Sequence, residues 1–357
     1  MNIKKTAFTT LQVVVTLGVL YVVFHDPKKR AQMGEALGHS DKIWLLGGFI
    51  AYGFVELFAA IRWNILLRVQ GIYLSSLRLG ALLMIGVFFN LFLPGGTGGD
   101  VVKTYFLLKE TSDKKAPALL AVLMDRMVGL LGLMVVTIVM MGLRYNWLAR
   151  FAVTASLANI LLLILVAALA SIVFSFAVTS FGLVKKLPHK MPFRDKFVEL
   201  SVAYNLYASA WRATLLAFVF SIGVHIGSFV VFYYSGRAFR ATASLLDFFS
   251  IMPIVNTITS LPISVAGLGL REKLFEELLG NLCNVPPAVA VLISTSGFLV
   301  IGAWGVVGGV IYMLYRPSEH ARLAEISREV THVEEEITHE ADPEDYRIDH
   351  KDEDEGK

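Results

Sequence analysis

"NLFLPGGTGGDVVK", residues 90–103, follows an apolar stretch and leads into another, "VVKTYFLLKE". Within it Gly95 to Lys103 matches the calcium-binding nonapeptide G-G-x-G-x-D-x-U-x, with Asp100 at the acidic position. That motif works as a stacked array, in which each turn of a parallel β-helix supplies part of its neighbour's site, and at least three copies are needed. The chain carries one copy between flanks too apolar and unbroken for a soluble β-roll. The glycines need a different explanation, and the composition supplies its setting.

Of 357 residues, 55% are hydrophobic and 17% charged, and the mean hydropathy is +0.63, where soluble domains hold about 25% charged residues. This is the composition of a polytopic membrane protein. Charge divides the chain in two: residues 1–315 hold 26 Lys+Arg against 14 Asp+Glu, and residues 316–357 hold 6 against 15. A basic membrane body suits anionic headgroups, and the acidic tail is expected to be a solvated cytoplasmic extension. The single cysteine, Cys283, excludes an intrachain disulfide.

Six segments are long enough to cross the hydrocarbon core of about 30 Å: 6–24, 43–66, 118–143, 155–180, 212–236 and 287–315. The first follows Lys4 and Lys5 but is succeeded by "HDPKKR", not a small-residue cleavage site, so it reads as a retained span. Two shorter apolar stretches, 79–93 and 245–261, each end at Leu-Pro with glycines close behind. If both turn back to their side of entry, the basic loops 109–115 and 185–196 fall with both termini on the cytoplasmic side, and most Lys and Arg lie inside. Full crossing reverses that balance. "DPKKR" (26–30), placed outside, stands against the rule.

The two short stretches echo each other. Aligned on Pro94 and Pro262, both show glycine five residues on (Gly99, Gly267), a basic residue nine on (Lys103, Arg271) and an acid alongside (Asp100, Glu272). Three spans separate them, so they enter from opposite faces. The expected fold is all-α: six full spans plus two re-entrant broken-helix hairpins forming an inverted repeat, an arrangement associated with a substrate site near the midplane and alternating access. Non-helical backbone at membrane depth is tolerated only inside protein or beside a water-filled cavity. Proline ends the first half-helix, glycine lets backbone approach a ligand, and the second half-helix offers free N–H groups to an anion. In a bilayer the natural anion is a lipid phosphate, with Lys103 and Arg271, one turn into each second half-helix, as its side-chain partners.

Other polar residues in the spans carry two readings each. Asp100 and Glu272 either cap their half-helices or hold the two cations and a coupling proton. Asp125 and Arg126 form a structural ion pair or line the lipid path. Glu56 and Arg62, six apart, point to different sides of one helix; Arg62, beside Trp63, is expected to snorkel to the interface, whereas Glu56 is too deep to do so. His225, among small residues, is expected to make a helix-packing hydrogen bond. Phe193, Phe197, Leu200, Tyr204, Tyr207 and Trp211 recur at helical spacing, as in an amphipathic helix lying in the inner interface. Walker A, dinucleotide and H-E-x-x-H zinc motifs are absent from the sequence, so no cofactor is expected. An intramembrane lipid-modifying transferase, or an accessory subunit to one, is the alternative to a transporter.

"FNLFLPGGTGGDVVKTYFL", "LMDRMVGLLGL" and "LPISVAGLGLRE", in that order, resemble the flippase-like family named for the transmembrane region of lysylphosphatidylglycerol synthase, over roughly residues 5–315. The family's first motif falls on Asn90, Pro94, Gly95, Gly96, Gly98, Gly99, Asp100 and Lys103, its D-R pair on Asp125 and Arg126, and its late motif on Pro262, Gly267, Gly269 and Glu272. Here "ISVAG" stands where relatives often show "SPGG". The resemblance implies a translocase for an anionic or modified phospholipid, or a lipid-linked intermediate, in the plasma or inner membrane. Ending at residue 357 with no aminoacyl-transferase domain, the chain is expected to move lipid and not to aminoacylate it. The lipid itself and any oligomeric state stay open.

Overall fold

The computed structural model describes the backbone of residues 3–92, 98–111, 114–180, 206–261 and 263–316, with side chains described from Val14 in the first helix and up to Ser171 in the eighth. All regular structure among them is helical: α1 (Ile3–Phe24), α2 (Pro27–Gly38), α3 (Lys42–Val69), α4 (Ser76–Phe92), α5 (Gly98–Glu110), α6 (Lys115–Leu143), the single turn α7 (Tyr145–Leu148), α8 (Ala152–Ser180), α9 (Trp211–Ala238), α10 (Leu245–Ser260), α11 (Leu270–Cys283) and α12 (Pro287–Leu314), with a 3-10 turn at Val265–Gly267. Five described helices (α3, α6, α8, α9 and α12) are long and apolar enough to cross a membrane. The 22 residues of α1 extend about 33 Å, enough for the sixth span read from the sequence. The protein is a polytopic helical membrane protein.

Its outer surface is apolar, as a lipid-facing surface must be. On α3 the exposed residues Ile43, Leu46, Ile50, Phe54 and Leu57 recur at steps of three and four, one stripe of a helix. Helix starts are marked by side chains that take up free N–H groups: Asp26 accepts from Lys28 N–H before α2, Asp41 from Ile43 N–H before α3, and Ser244 from Asp247 N–H before α10. The helix α2 is a finding that hydropathy gave no hint of. Its Lys29 pairs with Glu276 of α11 at 2.7 Å, which ties "DPKKR" to the protein and gives part of that basic cluster a partner other than lipid.

Both short apolar stretches double back. Arg78, near the start of α4, pairs with Glu110, the last residue of α5, at 2.5 Å, while a Cβ added at Gly99 would run into the Gly86 carbonyl. The α4–α5 unit is therefore an antiparallel hairpin (hairpin 1) with its open end at Arg78 and Glu110. In the α10–α11 unit (hairpin 2) the Thr242 hydroxyl, just ahead of α10, reaches the Cys283 carbonyl at the end of α11 at 3.5 Å. Its open end carries the Arg144–Asp247 pair as well, at 2.6 Å.

Helix α12 shows how the hairpins stand to each other. Toward its N-terminal half, Ser294 bonds Glu272 of hairpin 2 at 2.8 Å. Toward its C-terminal half, Gly305 and Gly308 let α4 approach at Leu91 and Met84, and the Tyr315 hydroxyl just beyond donates to Glu110 at 2.7 Å. The open ends lie at opposite ends of a helix about 42 Å long, with the tips between them. That is the inverted arrangement expected from the echo and from the odd number of intervening spans.

Some readings fall elsewhere. The basic loop 185–196 and most of the amphipathic stretch 193–211 lie outside the described residues, as do Pro94, Gly95, Gly96, Pro262 and the acidic tail beyond Arg316.

Candidate functional site: the cavity between the hairpin tips

Between the two hairpins a cavity of about 660 Å³ is lined by residues from both of them, from α3, α6 and α9, and from α12. Asn90, Asp100 and Lys103 come from hairpin 1, and Ser260, Gly267 and Arg271 from hairpin 2. The two cations singled out by the repeat thus share one space although 168 positions separate them.

Hairpin 1 presents its half through close packing. Gly99 lies so near α4 that no larger residue fits, and its N–H donates to Asn90 Oδ1 at 2.9 Å, which takes up one free donor of the α5 N-terminus. Gly98 opens the helix, so Lys103 is its sixth residue, deeper than one turn in. Its ammonium lies 3.5 Å from Asp100 Oδ1 and 3.4 Å from Asp125 Oδ2, and 4.4 Å above the Trp63 ring. Each of those acids also has an arginine: Arg62 Nε on Asp125 Oδ1 at 2.8 Å, and Arg126 Nη2 on Asp100 Oδ2 at 2.6 Å. Lys103 is the link between two Arg–Asp pairs.

This network overturns one expectation and selects between the paired readings of two others. Arg62 does not snorkel to the interface: its guanidinium turns inward to Asp125 and to Ser221 of α9 at 3.3 Å, because Asp125 left buried without a partner would be strongly destabilising. Asp125 and Arg126 do not pair with each other. Adjacent residues on a helix point about 100° apart, so each finds a partner on another helix. Asp100 spends its carboxylate on Arg126 and Lys103, not on a cap alone.

Hairpin 2 is built differently. Its tip needs left-handed backbone, with Gly267 at φ +73°, Gly269 at φ +78° and Ala266 at φ +51°. At Gly269 the requirement is double, since a Cβ there would press on Val19 of α1. The Gly269 N–H donates to Glu272 Oε2 at 2.6 Å and the Ser294 hydroxyl to Oε1 at 2.8 Å, so Glu272 is the cap of α11. Thr16 of α1 accepts from Val265 N–H at 2.8 Å and steadies the turn.

Arg271 follows directly. It is 7% exposed, its Nε lies 3.7 Å from the already engaged Glu272 Oε1, and its guanidinium sits 4.4 Å from the Phe298 ring. Nε and Nη2 have no hydrogen-bond partner among the described residues. Buried donors left in this state cost about 1–3 kcal/mol, more when charged. The arginine lines the cavity, with these two donors covered and unsatisfied.

His225 makes the expected interhelical contact, its Nε2 lying 3.0 Å from the Gly129 carbonyl, and lines the cavity too, as does Glu56. Sequence reading missed Tyr52, Asn256, Thr259 and Ser264 in the wall and Phe298 beneath Arg271. The run "NTITS" (256–260), polar within an apolar helix, was the signal for two of them. Among the described residues no group of His, Cys, Asp and Glu could hold a metal ion.

No curated protein and no solved structure shows a match to the chain. The family described as the lysylphosphatidylglycerol synthase TM region matches residues 9–307, a stretch that contains both hairpins and every charged residue of the cavity wall. The chain belongs to that family, a membrane protein of lipid metabolism or transport.

Proposed function

We propose that the protein carries an amphiphilic anionic lipid between the leaflets of the plasma or inner membrane, the headgroup passing through the cavity between the hairpin tips. Arg271 carries this reading. A buried guanidinium with unused donors, in the wall of a cavity at membrane depth, fits a phosphate better than any other group a bilayer offers. Lys103, across the same space, supplies positive potential while its own contacts hold it in place. The hairpins enter from opposite faces and have separate ion pairs at their open ends, which suits a site exposed first to one leaflet and then to the other. With both termini cytoplasmic, hairpin 1 opens to the inside. No nucleotide motif is present, so the lipid gradient or a proton gradient drives the cycle.

The test is reconstitution into liposomes containing phosphatidylglycerol with a short fluorescent acyl chain, quenched from outside by dithionite, alongside mass spectrometry of the lipids. The expected result is quenching beyond the outer-leaflet fraction, with lipid masses unchanged. Phosphatidic acid, cardiolipin and phosphatidylcholine in place of phosphatidylglycerol rank the headgroups. A modified lipid without exchange would establish the transferase alternative.

A further inference from the structure

A second cavity, of about 340 Å³, adjoins the central one beside α3. Glu56 and Leu83 line both. This second space is a groove between α3 and α4, walled by Leu57, Ala60, Ile61, Leu79, Gly80 and Met84. Trp304 of α12 borders it, fixed by an indole N–H bond to the Phe49 carbonyl at 2.9 Å. Polar residues stand only at its ends: Glu56 at the depth of the hairpin tips, Asn64 and Ser76 toward the face where hairpin 1 opens. From Glu56 to Asn64 the groove runs about 12 Å along α3.

Two observations say that it is open to the bilayer and unfilled by the protein. Leu57, on its rim, belongs to the lipid-facing stripe of α3 and is 50% exposed. At Gly80 no atom lies within 4 Å of where a Cβ would stand.

A lipid whose headgroup enters a polar cavity cannot take its chains along. Moving a methylene from hydrocarbon to water costs about 0.8 kcal/mol, so even half of a long chain would cost more than the headgroup contacts return. The chain needs an apolar exit beside the headgroup site, and the groove adjoins that site, sharing Glu56 and Leu83 with it. We propose that the α3–α4 groove is the chain subsite of the translocated lipid: one acyl chain lies along it, with Glu56 and Leu83 at the neck between chain and headgroup. This rests on the lipid-translocation reading above and adds where the hydrocarbon goes.

Phosphatidylglycerol with a diazirine midway along one acyl chain tests it. After reconstitution and irradiation, peptide mapping is expected to find adducts concentrated on residues 57–64 and 79–84, above the level at Leu163 and Ile164 on the exposed face of α8, which reports lipid that merely surrounds the protein. Gly80→Trp places a large ring in the open groove, and Gly80→Leu a smaller one; both improve helix propensity. Each is expected to lower the groove adducts, and Gly80→Trp to slow exchange of long-chain phosphatidylglycerol about tenfold, what displacing roughly two methylenes corresponds to. Adducts spread evenly between groove and α8, or untouched by both substitutions, overturn the subsite. Cross-linking does not require turnover, so the two readings separate. Groove adducts without exchange keep the subsite and remove translocation, whereas exchange without groove adducts removes the subsite alone.

Discussion

Hairpin 1 and hairpin 2 place a cation at the same step of their repeat, each 4.4 Å from an aromatic ring, yet the two cations keep different company. Lys103 bridges two carboxylates that already hold an arginine each. Arg271 has one neighbouring carboxylate, and Glu272 has committed both oxygens, to the Gly269 N–H and to Ser294. The difference originates in the tips. Hairpin 1 covers its α5 N-terminus with the neutral Asn90, which leaves Asp100 free for ion pairs; hairpin 2 uses its acid as the cap, which leaves Arg271 under-compensated. A sequence repeat fixed where the charges stand, and the caps decided which of them can accept a ligand.

The largest test of this comparison is all or none. In a Cys283→Ser background, cysteines at Lys114 and Thr242, beside the open ends of hairpins 1 and 2 and both exposed, should be labelled by an impermeant maleimide from opposite faces of the membrane, Lys114 from the cytoplasm. Labelling from one face removes the inverted repeat.

Next comes the stability of the hairpin 1 network. Asp125→Ala leaves Arg62 and Lys103 buried without their shared carboxylate, and breaking a buried pair in this way costs about 3–5 kcal/mol. Thermal unfolding in detergent should show a marked fall in midpoint, partly recovered by adding Lys103→Met. Additive effects in that cycle would mean that Lys103 and Asp125 are not coupled.

Arg271→Ala sharpens the contrast. A charge-assisted hydrogen bond is worth about 1.5–3 kcal/mol, so lipid exchange should drop roughly ten- to a hundredfold, while the unfolding midpoint holds or rises because a poorly compensated charge has gone. Lys103→Ala should slow exchange less. Equal losses from the two would restore the symmetrical phosphate clamp that the repeat suggests, and a stability loss in Arg271→Ala would make this residue structural. Smallest is Glu272→Gln, which keeps an acceptor for the Gly269 N–H and removes the negative charge beside Arg271, and is expected to lower stability by about 1 kcal/mol. It should change exchange only by way of the neighbouring guanidinium, which the headgroup ranking can detect.

Much of the architecture is legible in the chain because hydropathy, glycine-proline breaks and loop charge are local properties. The Leu-Pro ends and trailing glycines of 79–93 and 245–261 mark hairpins that the Arg78–Glu110 and Thr242–Cys283 contacts close. The capping reading of Glu272 follows from an acid early in a half-helix, and the packing role of His225 from its small neighbours. The α3–α4 groove has no local signal at all, since it is the absence of a side chain between two helices.

The sequence by itself determined that this is a helical membrane protein of its family, with two broken hairpins and a cation in each. Only the tertiary structure decided how the charges pair: Arg62 finds Asp125 63 positions away and Arg126 finds Asp100 at 26. Hydrophobic periodicity says which way a helix faces lipid and nothing of which charge on another helix will meet its own. Buried ions settle that by proximity, because in a low-dielectric interior a partner within about 4 Å outweighs any preference written along the chain.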